Sequence, residues 1–497
     1  MKTTIRPAVV IIMAMLPLFL GMMIQQGEIP ITTASHEALV QYQKGMDLSM
    51  RLRSEEAIPY LHKAVSLDPN FAMAYYFLAM NATTSRDAMD NINKATSHAD
   101  QVSEGERTLI KAMKAGMTGD LATQEQLLRQ LVTRFPNDKT SHITLAGALY
   151  NSRNYPVAID ELQKAIAIDA NLTMAYNLLG YAHMRTGNLP EAETDFRHYT
   201  TQLPDDPNPH DSFAELLMKE GKFDQSIAEY QKALAIAPNF HSSRIGIAVD
   251  HMLKGMPVEA RKNANTLFSM TDDPGWQGTA LTVVAETYIT EGQYQKAIDE
   301  LNKVRGIAAK NDDAVAAADA LTNIGRTLLV ACEIDATKGT FLKTRTPEVE
   351  KIDAADVYFK DARKIVVESK VVPEVKTRMQ NDYLVHKAQV ELKRNNIREA
   401  KATIDQLQQQ PGAMADVLLL DDIHMLNGLV ASAEKRFNDA VTELSKTNLH
   451  NPMHLYLLAE AYNASGNTAK AAELRTAIWN FNENSFSLAL VRPLVKQ

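Results

Sequence analysis

The sequence predicts an all-α solenoid of stacked helical pairs, and three observations carry that prediction. Small residues recur at 34-residue intervals at Ala146, Gly180, Ala214 and Ala248. A second small series, Ala158, Ala192, Ser226 and Ala260, keeps the same interval. Ala170, Pro204 and Pro238 close the units in the same phase. A fixed period of this length marks an array whose units cannot bury their apolar faces alone and must stack on their neighbours.

The elements follow in chain order. Lys2 and Arg6 precede an apolar run from Pro7 to Ile24, after which the chain turns polar at Gln25, Gln26 and Glu28. Positive, apolar, polar is the layout of a secretory signal. Thr32, Thr33 and Ala34 offer a small-residue cleavage point before Ser35, and no Cys follows the run, which excludes lipoprotein processing. Residues 1–34 are therefore expected to be a signal peptide or, if uncleaved, a membrane anchor. Either places the body outside the cytoplasm: periplasmic, extracellular, or anchored and facing the periplasm.

Residues 35–136 read as degenerate pairs. Gly45, Ala57, Ala64 and Pro69 mark one unit, the stretch from Phe71 to Ala99 has no clear phase, and helices are expected over 103–116 and 121–135. Residues 137–311 form the regular array. There apolar residues recur at three and four residue spacing, as in Leu162, Ala165, Ile166 and Tyr230, Ala233, Leu234, with Gly187 and Gly221 at bends. Residues 312–380 read as an irregular pair, with a helix near 315–332 and a polar loop over 333–351. Residues 381–478 regain the phase through Ala388 and Ala400, Gly428 and Ala440, then Ala459 and Ala471. About ten to eleven pairs result. Trp479, Phe481, Phe486, Leu488, Leu490 and Val491 make residues 479–497 a tail expected to fold back as a cap on the pair from Leu455 to Ile478, since a solenoid end must be covered.

This pattern resembles the tetratricopeptide repeat. From Ser103 onward it is similar to a group of exported bacterial tetratricopeptide proteins, through SEGERTLIKA (103–112), DDPNPHDSFAELLMKEGKFDQSIAEYQKALAIAPNF (205–240), SSRIGIA (242–248) and the tail NFNENSFSLALVR (480–492). The group's tail usually ends in NYAFVR, from which Leu488 to Leu490 depart. The resemblance implies a right-handed superhelix with a concave inner groove. The group has no settled activity, so the resemblance implies architecture and no chemistry.

Composition narrows the function. With 52 Lys and Arg against 60 Asp and Glu the formal charge is −8, which argues against a nucleic-acid partner. Cys332 is the one cysteine, so no disulfide framework or Cys-based metal cluster forms within the chain. No HExxH, phosphate loop or GxSxG occurs. His450 and His454 are one turn apart, but Pro452 lies between them. His183 and His251 share a repeat phase and read as hydrogen-bonded packing residues. No catalytic, cofactor or metal site is expected.

The inner wall is expected to be the functional surface. Repeat phase places Tyr42, Met46, Tyr150, Met174, Asn177, Tyr181, Met184, Arg185, Asp211, Glu215, Met218, Lys219 and Met252 on it. A wall rich in Met and Tyr suits adaptable contact with peptides. With Arg185 and Lys219 as its only cations there, it is not expected to clamp a carboxylate. The expected function is an exported non-enzymatic scaffold holding a protein or peptide partner in its groove. The alternative is a glycan-binding or small-ligand-binding accessory of an envelope uptake system, weakened by having only Trp276 and Trp479 as indole platforms.

Overall fold

The computed structural model describes residues 27–51, 53–82, 84–336, 347–410 and 416–495. The apolar run of the expected signal lies outside these residues. The described chain is all-α and builds twelve helical pairs. The first six are α1 (His36–Met50) with α2 (Ser54–Leu67), α3 (Ala72–Met80) with α4 (Ser85–Ser97), α5 (Glu104–Met117) with α6 (Leu121–Arg134), α7 (Lys139–Asn151) with α8 (Tyr155–Ile168), α9 (Thr173–Thr186) with α10 (Leu189–Gln202), and α11 (Pro207–Lys219) with α12 (Phe223–Ile236). The next four are α13 (His241–Leu253) with α14 (Pro257–Met270), α15 (Pro274–Thr290) with α16 (Tyr294–Lys310), α17 (Ala314–Ala336) with α18 (Pro347–Glu368), and α19 (Pro373–Lys393) with α20 (Ile397–Gln408). The last two are α21 (Val417–Ala433) with α22 (Phe437–Leu444), and α23 (Pro452–Ala464) with α24 (Thr468–Trp479). A short helix α25 (Phe486–Val491) and a 3₁₀ turn (Arg492–Val495) end the described chain.

The small residues of the sequence pattern work as sockets. A Cβ on Gly180 would lie 2.8 Å from the Phe196 ring, and one on Gly45 or Gly428 would lie 2.7 Å from Leu61 or 2.5 Å from Leu444. Each large residue comes from the second helix of the same pair, sixteen positions on. Tyr230 shows the wedge serving two pairs, because it follows Ala214 by sixteen residues and also fills the space beside Gly246, 2.2 Å from a Cβ there. Gly187 and Gly221 turn the chain between paired helices at φ 81° and 75°, where a side chain would be strained.

Most successive odd-numbered helices touch one another directly, among them α7, α9, α11, α13 and α15 in turn, while even-numbered helices make no comparable contacts among themselves. The array therefore curves with its odd helices inside. It curves far enough that Arg153, in the turn after α7, meets Asp421 of α21 at 2.5 Å. Helix α17, whose stretch Ala314–Cys332 is apolar and long enough to cross a membrane, is packed here as one of the inner helices, and most of that stretch is buried.

Three expectations change. The stretch from Phe71 to Ala99 is a full pair, bringing the total to twelve; α3 is apolar on every side, with seven of its nine residues buried, so it shows no amphipathic period. Helix α17 runs to Ala336 and α18 begins at Pro347, which shortens the loop read over 333–351. Residues 28–34, assigned to the export segment, belong to the body. They lie across the starts of three inner helices, where Thr32 donates N–H and O–H to Glu106 at 2.8 and 2.6 Å. Thr33 Oγ1 and the Ala34 N–H donate to Asp68 at 2.6 and 3.0 Å, and the Ile29 N–H donates to Asp138 at 3.2 Å. Burial alone would raise the Asp68 pKa, but hydrogen bonds from Thr33, Ala34 and Asn70 hold it below the usual range.

Glu106 is fully buried, and removing the strap takes away two of its hydrogen bonds while the Ser103 N–H still donates to it. A variant beginning at Ser35 should lose roughly 3–5 kcal/mol of stability in its first three pairs, from the lost hydrogen bonds to Glu106, Asp68 and Asp138. Hydrogen exchange of the α3 and α5 amides in that variant checks this, with faster exchange expected there and unchanged exchange in α11 to α13.

Candidate functional site

The inner wall is built from equivalent positions of the odd helices. Tyr181 and Glu215 each follow the small socket residue of their helix, and Arg185 and Lys219 stand one turn further on. Across this wall runs the chain's own carboxyl tail. Glu483 accepts from Arg185 Nη1 at 2.8 Å and from Lys219 Nζ at 2.5 Å, and Lys219 also lies 4.4 Å from the centre of the Phe481 ring. Arg185 is further fixed by donating through Nε to the Tyr150 hydroxyl at 3.1 Å. Burial alone would raise the Glu483 pKa, but the charges of Lys219 and Arg185 hold it below the ordinary glutamate value.

Beyond Glu483 the tail becomes apolar. Leu488, Leu490, Val491 and Val495 are buried in one cluster with Met218, Met252 and residues of α15 and α23. Helix α25 packs on α15, α17 and α23. Arg326 of α17 donates to Ser487 Oγ at 2.8 Å and lies over the Phe486 ring; burial pushes its guanidinium pKa down to about 10. Arg492 donates to the Leu253 carbonyl at 3.1 Å. The tail thus packs on the last pair and reaches back across the groove to α9.

The structure redistributes the expected wall. Met46, Tyr150, Met174, Tyr181, Arg185, Glu215 and Lys219 are partly buried, at or beside the groove. Tyr42, Asn177, Met184, Asp211, Met218 and Met252 are buried instead. Tyr42 packs between Phe71 and Phe77, and Met184 packs with Phe196, Phe213 and Leu216. The three methionines lie three residues from the groove-facing line, on the side of each helix that turns under its neighbour. The expectation about carboxylates is also corrected: Arg185 and Lys219 do hold one, supplied by Glu483. A signal for its charge was present, since Glu483 is the only charged residue between Trp479 and Arg492 and a lone charge needs a counter-charge when its segment packs.

Histidines tie helices within pairs. Nδ1 of His142, His210 and His424 lies 2.6, 2.7 and 2.7 Å from Glu161, Glu229 and Glu443, nineteen residues on in each case. His183 Nδ1 lies 2.7 Å from Asp195, while His251 has no partner for its buried Nδ1. Among the described residues no group of three His, Cys, Asp or Glu is placed to hold a metal ion.

Comparison with known proteins bears on the fold of the pairs. Residues 212–240 match the family model described as tetratricopeptide repeat, running from within α11 past the end of α12. The pairs of this chain are of that type. Over 208 residues, 40% of the chain, it is 27% identical to "Cellulose synthase operon protein C" of Xanthomonas axonopodis pv. citri (strain 306), and it spans only 14% of that relative's length. Among solved structures, a thermophilic TPR protein of Thermus thermophilus is 17% identical with a TM-score of 0.31, covering 37% of this chain and 98% of that one. A tetratricopeptide repeat protein from Parabacteroides merdae ATCC 43184 is 15% identical with a TM-score of 0.37, covering 55% and 96%.

Beneath the wall, burial pushes carboxyl pKa values up. Asp211, which accepts from Ser243 Oγ at 2.6 Å, is pushed up to about 8 by burial and then by the charge of Glu215. Glu286 of α15 is pushed up to about 8 by burial alone, with no partner for its Oε2. Folded protein therefore keeps the Glu286 proton that the unfolded chain releases above the ordinary value of 4.5, so the native state loses stability as pH rises from there to about 8. Glu286→Gln should remove that slope. The difference in unfolding free energy between variant and parent should grow in the variant's favour by about 1.4 kcal/mol per pH unit between roughly pH 5 and 8, as read by denaturant titration at each pH. A constant difference would contradict the assignment.

Proposed function

We propose that this chain is an exported, non-enzymatic scaffold that holds a protein or peptide partner against its inner wall. One observation carries the reading: the wall already holds a polypeptide, its own tail, through a charge clamp and an apolar cluster. Tetratricopeptide-type arrays are interaction scaffolds in general. The tail's contacts lie on α9 to α17 and on α23 and α24. The same wall continues into the first three pairs, where the positions equivalent to Tyr181 and Arg185 are Met46 and Met50 on α1, Met80 on α3, and Met113 and Met117 on α5. Met80 is 46% exposed. Flexible, polarisable thioethers at equivalent positions on consecutive helices suit an apolar peptide or helix face.

Export rests on the charged, apolar and polar order of the first residues. The relative named for a cellulose synthase operon favours a second reading, in which the scaffold serves an envelope polysaccharide system and the ligand is a glycan.

Two measurements test this. Affinity capture from an envelope extract with the full chain should recover a partner that Met46→Glu with Met80→Glu loses. Helical content should stay nearly unchanged, because Met80 is exposed, where substitutions alter stability by about 0.5 kcal/mol or less, and Met46 is only partly buried. Equal capture by both proteins counts against the wall, and release by soluble glucan favours the glycan reading. Amino-terminal sequencing of the native exported protein should find its first residue at or before Gly27, since the strap that follows is part of the fold. A start at Ser35 would refute that placement.

A further inference from the structure

We infer that the loop from Asn480 to Ser485 is a resident occupant of the partner groove, and that the partner segment replacing it carries a carboxylate for Arg185 and Lys219. The inference rests on the scaffold reading and names the chemistry of its ligand.

The tail divides into two parts with different holds. Leu488, Leu490, Val491 and Val495 are almost wholly withdrawn from water, so that part stays in place under native conditions. The preceding loop has no helical structure beyond the end of α24, and is polar except for Phe481. It reaches the wall through Glu483, which touches α9 and α11, and through Asn482, which passes beside the left-handed turn at Gly221. The loop can therefore leave the wall while α25 remains seated.

Charge then sets what can take its place. Arg185 and Lys219 keep only 29% and 21% of their side-chain surface exposed. Covering the wall with a neutral segment in place of Glu483 leaves two poorly hydrated cations side by side with no counter-charge, an arrangement that is strongly disfavoured. Exchanging one carboxylate for another keeps both satisfied, so a neutral segment is rejected and an acidic one is admitted. Phe481, 8% exposed under Lys219, marks an apolar seat two residues before the acid. The segment that fits is aromatic, any residue, acid. Because the resident loop is tethered, it competes at an effective concentration on the order of millimolar, which makes it a threshold against weak ligands.

The probe is a capped, fluorescently labelled peptide of residues 480–485, titrated onto the full-length chain by anisotropy. A Phe481→Ser, Glu483→Gln double variant should bind it at least tenfold more tightly than the parent. The same peptide with Gln for Glu should bind at least tenfold more weakly, and adding Arg185→Met should abolish binding. Equal binding by parent and double variant, or equal binding of the two peptides, overturns the inference. If the double variant loses helical content, hydrogen exchange on the parent decides. A millimolar excess of the probe should speed exchange at residues 480–485 and leave 488–491 protected, and no change at 480–485 overturns it. Should the probe fail while Met46→Glu with Met80→Glu still loses the envelope partner, only the carboxylate site falls and the scaffold reading stands.

Discussion

The whole array depends on one steric arrangement, a large side chain from the second helix of a pair seated where the first helix has no room for a Cβ. Phe196 against Gly180, Leu61 against Gly45 and Leu444 against Gly428 are instances. Tyr230, between Ala214 and Gly246, shows how the same wedge also fixes the next pair. Close-packed interiors tolerate added volume poorly, so the small residue sets the separation of two helices and thereby the step from one pair to the next. Curvature follows from that step repeated. Over twelve pairs the wall turns enough for Arg153 to reach Asp421 and for the tail to reach Arg185.

Because the wedge leaves a periodic trace in the sequence, most of the architecture was legible there. The spacing from Ala146 to Ala248 gave pair, period and stacking without any tertiary information. Legibility failed where a helix lost its polar side. Helix α3 is buried almost all round between α1, α4 and α5, and a helix with no solvent face has no amphipathic period to read. It failed again at residues 28–34, which have no helical period. Their place is set by Asp68, Glu106 and Asp138, which look like ordinary helix-start acids and do cap or flank such starts, Glu106 as half of a capping box with Ser103.

The groove was legible in position and misread in detail. Repeat phase located the line of Tyr181, Arg185, Glu215 and Lys219, and these residues do lie at the groove. Met184, Met218 and Met252, one residue short of the Arg185 and Lys219 line, point under the neighbouring helix, where a turn of about 100° per residue carries them into the core. The tail was legible as a folded-back segment, but which residues its acid pairs with was not. Contacts between Glu483 and Arg185 or Lys219 span 298 and 264 residues, and no local pattern encodes a pairing at that distance.

Those long-range pairings change the kind of object the solenoid is. In an open array each pair rests only on its neighbours, and stability is close to a sum of local terms that can fray from either end. Here the tail binds the fifth and sixth pairs to the last, and Arg153 with Asp421 binds the fourth to the eleventh, so opening the middle exposes groups held from both directions. The ion pairs alone would not enforce this, since even well-formed ones contribute modestly when water reaches them. Their role is directional: the apolar residues from Leu488 to Val495 supply the free energy, while Glu483 and Arg326 decide along which line of the wall the tail lies. On the stretch of wall that the tail covers, a ligand reaches Arg185 and Lys219 only by exchanging contacts with Glu483, which ties recognition there to the closure of the whole array.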